Sequence, residues 1–576
     1  MKKNIAILLL AAVVVALPFA LRRPKAVGAW KEGDPVLVVI SPHIASIREE
    51  FERGFSEWHL ARHGAPVRID WRNIGGTTEI MRYLQGELDA SFRAWWAQTG
   101  HDSAPDSPEA RAALLATDDP AAFTTKIDVF FGGGTYDHGK AERVGITVRP
   151  WAEGAEPPEV VRDAAGRETF PEARGGEQWR DSVYYSAVLS AFGICHNPDR
   201  LRDLGIEAPP TRWRDLADPR YDGQIGVTDP TKSGSIAKAF EMIVHSECHR
   251  AVREAGFSRE DVLRNEAAIA AAGGTVPPDL APYQDAVERG WKAGIDLLRL
   301  IGANARYFTD GASKVALDVS SGDAAAGITI DFYARVQADV TRDPATGRER
   351  MVYVTPEGGS SVSGDPVSLL RGAPHRELAE RFIEYILGPD GQKLWNYRPG
   401  EPGGPARHAL RRLPVRREYY PAGTAEWPAG PHPEATAPSV ASSAPAAHAA
   451  HTSDPLTDPA VDAYRLSGSF DYIPRWTASH FAFFRLLVRA MCMDAGPELK
   501  AAWRAIVAAG GPEANPAAMS ALCRLPPNLS WSSAPTLARG NAMDLSREWT
   551  LFFRDSYREA AALAADATEA TSPRDK

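Results

Sequence analysis

Apolar positions over residues 36–131 switch between two periods. Val36 to Ile40 is a short β-rich run, and Val67 to Trp71 alternates apolar with polar as a strand does. Between them Ile44, Ile47, Phe51, Phe55 and Trp58 recur at helical spacing, with Arg48, Glu49, Glu50, Glu52 and Arg53 at the intervening positions. Ser41-Pro42 reads as an N-cap followed by proline at the first helical position. Gly75-Gly76-Thr77-Thr78 opens a second helix that runs through Leu88. Asp102 to Pro120 is polar and proline-dotted and reads as a surface insertion. Ile127 to Phe131 is a third strand, ending in Gly132-Gly133-Gly134. The β-α-β-α-β order predicts a parallel sheet with right-handed crossovers. Ligands of such sheets sit beyond the carboxyl ends of the strands, against helix N-termini that favour anionic groups.

A second α/β unit is expected over 146–350, after a first unit over 31–145. Ser182 to Gly193 is a long apolar run with Tyr184 and Tyr185, suited to a strand that crosses between the units. Ile225 to Thr228 is a strand, and Asp229-Pro230-Thr231-Lys232-Ser233-Gly234-Ser235 opens a helix through Val244. Ala324 to Ile330 is another strand, ending at Asp331-Phe332-Tyr333. Over 351–420, Met351 to Val354 returns the chain to the first unit and a helix from Pro374 to Leu387 closes it. Residues 421–460 are crowded with Ala, Pro, Ser, Thr and His and read as a linker or wrap-around tail. The pattern over 461–576 is helical. Phe481, Phe484, Leu487, Val488 and Met491 form one apolar stripe, and Leu499, Trp503 and Ile506 another. They predict a small helical extension packed on one unit.

At 576 residues the chain exceeds one ordinary domain. Its 44% hydrophobic and 24% charged content is that of a globular protein, and a net charge of −9 argues against a nucleic-acid partner. Lys2 and Lys3, the apolar run Ile5 to Leu21, and Arg22, Arg23 and Lys25 make residues 1–30 a secretory signal or an uncleaved membrane anchor. An exported chain permits disulfides. The four cysteines allow three connectivities or four free thiols; Cys195 and Cys248 share one region, Cys492 and Cys523 another.

Several ordered phrases carry a resemblance over about 36–400. They are Ile40-Ser41-Pro42-His43, Asn73-Ile74-Gly75-Gly76-Thr77, Asp128-Val129-Phe130-Phe131-Gly132-Gly133 and Leu189-Ser190-Ala191-Phe192-Gly193-Ile194 with His196-Asn197. Next come Pro219-Arg220-Tyr221-Asp222-Gly223-Gln224-Ile225, Asp229-Pro230-Thr231 with Ser233-Gly234-Ser235, Pro356-Glu357-Gly358-Gly359, Ala379-Glu380-Arg381-Phe382-Ile383 and Pro389-Asp390-Gly391-Gln392. Together they resemble the type II periplasmic-binding-protein superfamily, in the iron(III)-type branch of ABC-importer solute-binding proteins. The resemblance implies an α/β fold of two lobes with a helical C-terminal extension, and closure on a ligand that touches both lobes. It implies a small solute or a ferric ion as ligand, an ABC permease and ATPase complex as partners, and a periplasmic or otherwise extracytoplasmic place.

The resemblance also implies where the ligand sits. His43 matches a histidine ligand of ferric-ion-binding members, and Tyr333 matches one of their adjacent tyrosine pair. Phe332 stands at the other position of that pair, and Gly132-Gly133-Gly134 stands where a carboxylate ligand is expected. Asp331 is a substitute carboxylate. Ser233, Gly234 and Ser235 form an anion cradle at a helix N-terminus, and Gly75, Gly76, Thr77 and Thr78 the matching feature of the first lobe. Ser41 joins them at the first strand end, and Tyr184 and Tyr185 at the hinge. The function expected is binding without chemistry. A membrane-anchored sensor without transport is one alternative. A serine acyl-transfer enzyme is another, since Ser235-Ile236-Ala237-Lys238 fits S-x-x-K, but the companion S-D-N and K-T-G motifs do not occur.

Overall fold

The computed structural model describes residues 30–163, 165–420 and 462–571, with side chains to 567. Residues 1–29 of the expected leader and the expected linker over 421–460 lie outside the described residues. Among the described residues no helix is long and apolar enough to cross a membrane.

The chain builds two sheets that share one long strand. In the first, β1 (Val36–Ile40) pairs in parallel with β2 (Arg68–Arg72) and with β3 (Val129–Phe131). Helix α1 (Ala45–His63) follows β1 and buries Ile47, Phe51 and Phe55, the stripe its spacing predicts. It starts at Ala45 without a side-chain cap, so Ser41 is no N-cap; its Oγ accepts from the His43 amide at 3.1 Å. Helix α2 (Thr77–Gln98) links β2 to the segment before β3. The expected surface insertion contains helix α3 (Pro108–Ala116), capped by Ser107 and buried through Ala110 and Leu114. Those two small apolar contacts carry too little periodicity to stand out among prolines. Helix α4 (Thr135–Arg143) follows the glycine run.

The first sheet keeps the chain longer than the boundary at 146 predicts. β4 (Thr147–Val148) pairs with Leu369 and Leu370 of the strand labelled β12 below, inside that sheet. After a hairpin of β5 (Ala173–Arg174) and β6 (Glu177–Gln178), the crossing is made by β7 (Tyr185–His196), every residue of which is buried.

The second sheet contains β8 (Ile225–Thr228), β9 (Ala305–Thr309), β10 (Ala326–Ile330) and β11 (Val352–Val354), and β12 (Val362–Leu370) returns to the first. β12 pairs with β7 from Tyr185 to Ala191, whereas β10 pairs with it from Phe192 to His196 and β11 from Ile194 to His196. The order β2-β1-β3-β12-β7-β10-β8-β9 therefore changes lobe inside β7, between Ala191 and Phe192. Gly193 lies just past that change. A Cβ there would sit 2.2 Å from the Val354 carbonyl oxygen, so only glycine lets β11 approach so closely. The last short strand, β13 (Leu413–Pro414), pairs on the β7 edge at Leu189 and Val188.

Helices α5 (Gly234–Glu254) and α6 (Ala281–Asn304) pack together on the second sheet, and α7 (Asp331–Thr341) follows β10. The C-terminal extension is helical, as its stripes predict. α8 (Phe481–Val488) buries Phe483, Phe484 and Leu487, and a π-helical turn carries the stripe on to Met491. The extension is fastened to the second lobe: Arg475 pairs with Glu266 at 2.6 Å, Arg259 holds Asp471, and Trp503 donates to Asn304 at 3.0 Å. It also presses on the β5–β6 turn. Gly175 and Gly176 have φ of +56° and +75°, and a Cβ on either would collide with the carbonyl of Ser467 or Tyr472.

All four cysteines are free thiols, so neither Cys195–Cys248 nor Cys492–Cys523 forms. Cys195 lies in the shared strand with its Sγ 3.6 Å from the Gly327 oxygen. Cys248 faces α6 with its Sγ 3.5 Å from the Val287 oxygen. The two thiols thus belong to different layers. Cys492 packs against Gly302 of α6, and both Cys492 and Cys523 act on the Arg299 guanidinium instead of bonding to each other.

Candidate functional site

Three helix N-termini open on one cleft of about 810 Å³ between the lobes. Those of α2 and α4 come from the first lobe and begin after Gly76 and Gly134, with no side-chain cap. That of α5 comes from the second lobe and is capped by Ser233, whose Oγ accepts from the Ile236 amide at 3.4 Å. Glycine at the first two caps offers no side-chain acceptor to the first-turn N–H groups, of which the Asp137 amide alone turns back, to the Gly134 oxygen at 3.0 Å. Such groups favour an anion, reinforced by the helix dipole. The lobes meet here. A Cβ on Gly234 would lie 3.3 Å from Thr77 Oγ1, and one on Gly76 3.5 Å from the Lys232 oxygen.

Behind the strand ends lies a buried charge network. Arg412, 1% exposed, donates to Asp365 Oδ2 at 2.5 Å and to Ser190 Oγ at 2.8 Å. Its guanidinium lies over the Phe332 ring at 4.4 Å and the Trp395 ring at 5.3 Å. His43 Nε2 shares Asp365 Oδ2 at 3.1 Å. Burial pushes the His43 pKa below its ordinary value, against the pull of Asp365. Burial alone would raise the Asp365 pKa, but Arg412 and His43 hold it far below the usual carboxylate range. The group is therefore an ion pair of Arg412 and Asp365 with a neutral imidazole beside it. Gly132 makes room for that ring: with φ +96°, its Cβ would sit 2.6 Å from His43 Cε1.

His43 and Tyr333 both line the cleft, as the resemblance implies, but the Arg412 guanidinium lies against the same group of rings and acts on the Tyr333 phenol. The Asp365 carboxylate oxygen nearest His43 is already engaged by Arg412, which leaves it unavailable as a ligand of a ferric ion. Among the described residues no three His, Cys, Asp or Glu side chains come together as metal ligands.

Gly75, Gly76, Thr77, Gly133, Gly134, Tyr184, Ser233, Gly234 and Ser235 also line the cleft. Five expected residues do not. Ser41 is turned to its own loop, and Gly132 is spent on His43. Tyr185 is buried in the sheet against Trp151, with ring centroids 5.8 Å apart. Thr78 accepts from Arg485 of the extension at 3.2 Å. Asp331 caps the backbone: its carboxylate accepts from the Phe332 amide at 2.7 Å and the Ala191 amide at 3.1 Å. A carboxylate at a strand-to-helix junction finds free amides sooner than a ligand.

Sequence reasoning missed the residues that give the cleft its charge. Lys238, three residues after Ser235 and so on its helix face, offered the one local signal. Its Nζ lies 3.0 Å from Glu177 and 3.1 Å from Glu241, over the Tyr472 ring. Burial alone would lower its pKa, but the two carboxylates raise it. A lysine held protonated cannot act as the base of an S-x-x-K serine, and Ser235 Oγ instead meets Ser233 Oγ at 3.1 Å. Asp365, Arg412, Asp181, Glu142, and Tyr472 and Phe481 of the extension also line the cleft and come from distant parts of the chain.

Residues 165–414 match the model of a family described as bacterial extracellular solute-binding protein. An uncharacterized protein of Haemophilus influenzae is 24% identical over 268 residues, which cover 46% of this chain and 60% of the relative. The phosphoglycerate transport regulatory protein of Salmonella typhimurium is 24% identical over 213 residues, 37% of this chain and 41% of the relative. These matches thus span less than two thirds of the relatives' own length. Among solved structures, the periplasmic binding protein AfuA of Actinobacillus pleuropneumoniae with bound fructose-6-phosphate covers 62% of this chain and 81% of its own, at 16% identity and TM-score 0.40. Iron-bound HitA of Pseudomonas aeruginosa covers 62% and 83%, at 13% identity and TM-score 0.37.

Proposed function

We propose that this chain is the extracytoplasmic solute-binding component of an ABC importer, and that its cleft takes a small solute through an oxyanion group. The observation that carries this reading is the convergence of the α2, α4 and α5 N-termini, from both lobes, on one cleft. An anion bound there touches both lobes, which is the condition for a ligand to favour closure. The family match over 165–414 supports the class of protein. The Arg412–Asp365 pair beside His43 weighs for an oxyanion over a bare ferric ion. The partners this reading calls for are a permease and its ATPase.

Thermal unfolding of the purified protein with phosphonates, phosphate esters, carboxylates, polyamines and ferric salts tests it. A ligand at about 100 times its Kd adds about 2.7 kcal/mol of stability. A phosphonate or phosphate ester is expected to raise the melting temperature by a few degrees. A rise with ferric salts alone, or with none of these solutes, sinks the oxyanion reading.

A further inference from the structure

The cleft that offers N–H groups at one place is acidic at another. Of its lining side chains, seven are Asp or Glu and four are Lys or Arg. Two of the cations are matched one to one, Lys232 by Asp310 at 2.6 Å and Arg412 by Asp365. Lys238 faces two carboxylates, Glu177 and Glu241, whose side chains are 4% and 1% exposed. Glu142, Asp181 and Asp137 form no ion pair among the described residues; Asp137, in the first turn of α4, accepts from the Thr77 hydroxyl, and the remaining cation, Arg143, is solvent-exposed beside Glu142 and Asp181. Burial and the neighbouring Asp181 raise the Glu142 pKa, with Arg143 working against them. Asp181 accepts from the Val183 amide at 2.9 Å, and the two half-buried carboxylates together leave acceptor oxygens free for a cation.

Tyr184 is an independent sign of such a cation. It is 5% exposed and lines the cleft, and its hydroxyl, which forms no hydrogen bond within the described residues, is open to the cleft. Asp181, Glu142 and Glu177 all act on that hydroxyl. Among the described residues no three carboxylates converge as ligands of a single metal ion. A primary ammonium has three N–H donors, matching two carboxylates and a phenol oxygen.

We propose that the Tyr184 end of the cleft receives an ammonium group, so that the solute is zwitterionic, with its amine at Tyr184, Glu142 and Asp181 and its oxyanion at the Ser233 helix N-terminus. This rests on the cleft being a solute site. Tyr184 lies at the foot of the shared strand and Ser233 on the second lobe, so such a solute contacts the hinge and both walls.

The test is calorimetric titration of the full chain with matched probes of two-, three- and four-carbon spacers: an ω-aminoalkylphosphonate, the alkylphosphonate without the amine, and the α,ω-diaminoalkane. For at least one spacer the aminophosphonate is expected to bind about ten-fold tighter than its des-amino partner. In the double variant E142Q/D181N that ratio falls to about two or less, and Y184F lowers it as well. Unfolding curves establish that the variants are folded. Equal affinity of each phosphonate pair overturns the ammonium site and leaves the oxyanion reading standing. Tightest binding by a diamine overturns the zwitterion and the oxyanion reading together, and binding of none of the probes overturns the zwitterion. A wild-type ratio that survives in E142Q/D181N overturns the assignment to these residues.

Discussion

Arg485 ties Thr78 of the first lobe to Thr231 of the second. One guanidinium nitrogen donates to Thr78 Oγ1 at 3.2 Å and to the Thr231 oxygen at 2.7 Å, while Nε donates to the Pro230 oxygen at 2.8 Å. Beside it, Phe481 meets Tyr136 of the first lobe with ring centroids 5.0 Å apart. An element rooted in the second lobe therefore holds the first. Arg485→Ala is expected to shift the ligand-free protein toward open lobes by about 1–2 kcal/mol, the scale of partly exposed charged hydrogen bonds. Small-angle scattering reads this as a larger radius of gyration. Arg485→Lys restores only part, because an ammonium has no second nitrogen to hold the Pro230 oxygen as Nε does. An unchanged scattering profile for Arg485→Ala argues against the tie.

Gly132→Ala is expected to be among the most damaging single-methyl changes in the first lobe. It combines strain at φ +96° with a Cβ 2.6 Å from the His43 ring. Overpacking costs about 1–3 kcal/mol and the backbone conformation about another 1–2 kcal/mol. Urea denaturation measures the sum, and a loss below about 1 kcal/mol contradicts the close approach.

Acid is expected to destabilise the fold from near neutrality downward. Burial lowers the pKa of His138 and of His196 to about 4. Unfolded histidine titrates near 6.5, so the unfolded state takes up protons first. The contribution of each group is complete above about pH 6.5 and drains as pH falls toward about 4. Between pH 7 and 5 each costs about 2 kcal/mol. His138 packs on Phe130 at 4.2 Å and bonds to Ser368 Oγ at 2.6 Å. His138→Gln should therefore reduce the stability lost between pH 7 and 5 by about 2 kcal/mol. Equal slopes for the two proteins in urea denaturation at pH 7, 6 and 5 count against a buried neutral imidazole.

The thiols provide a chemical check. Cys195 and Cys492 have pKa values pushed up to about 12 by burial, and the Cys248 thiol is raised further. The unreduced native protein is expected to leave these three unreactive toward Ellman's reagent, and the denatured protein to titrate four. A denatured count of two would restore one disulfide.

Much of the scaffold was legible because it is local. The Ile44 to Trp58 stripe, the glycine runs before α2 and α4, and the apolar run that becomes β7 each state their role within a few residues. Helix positions and the cleft-facing N-termini follow from that. What was not legible is made by distance. Asp365 and Arg412 meet His43 across 322 and 369 residues, and Glu177 reaches Lys238 only because a hairpin folds over the hinge. Asp331 was misread for a different reason: a carboxylate at a strand end looks alike whether it binds a ligand or two amides. The disulfides failed because proximity in sequence places Cys195 in a sheet and Cys248 on a helix facing away from it.

Gly193 has a mechanical consequence. It sits one residue beyond the point at which β7 leaves one sheet for the other, and it carries no side chain against Val354. Rotation about the backbone of residues 191–193 turns the two sheets relative to each other without driving a Cβ into a neighbouring strand. An alanine there would push β11 off β7, so the second lobe would lose a strand contact at the very point where it meets the fulcrum.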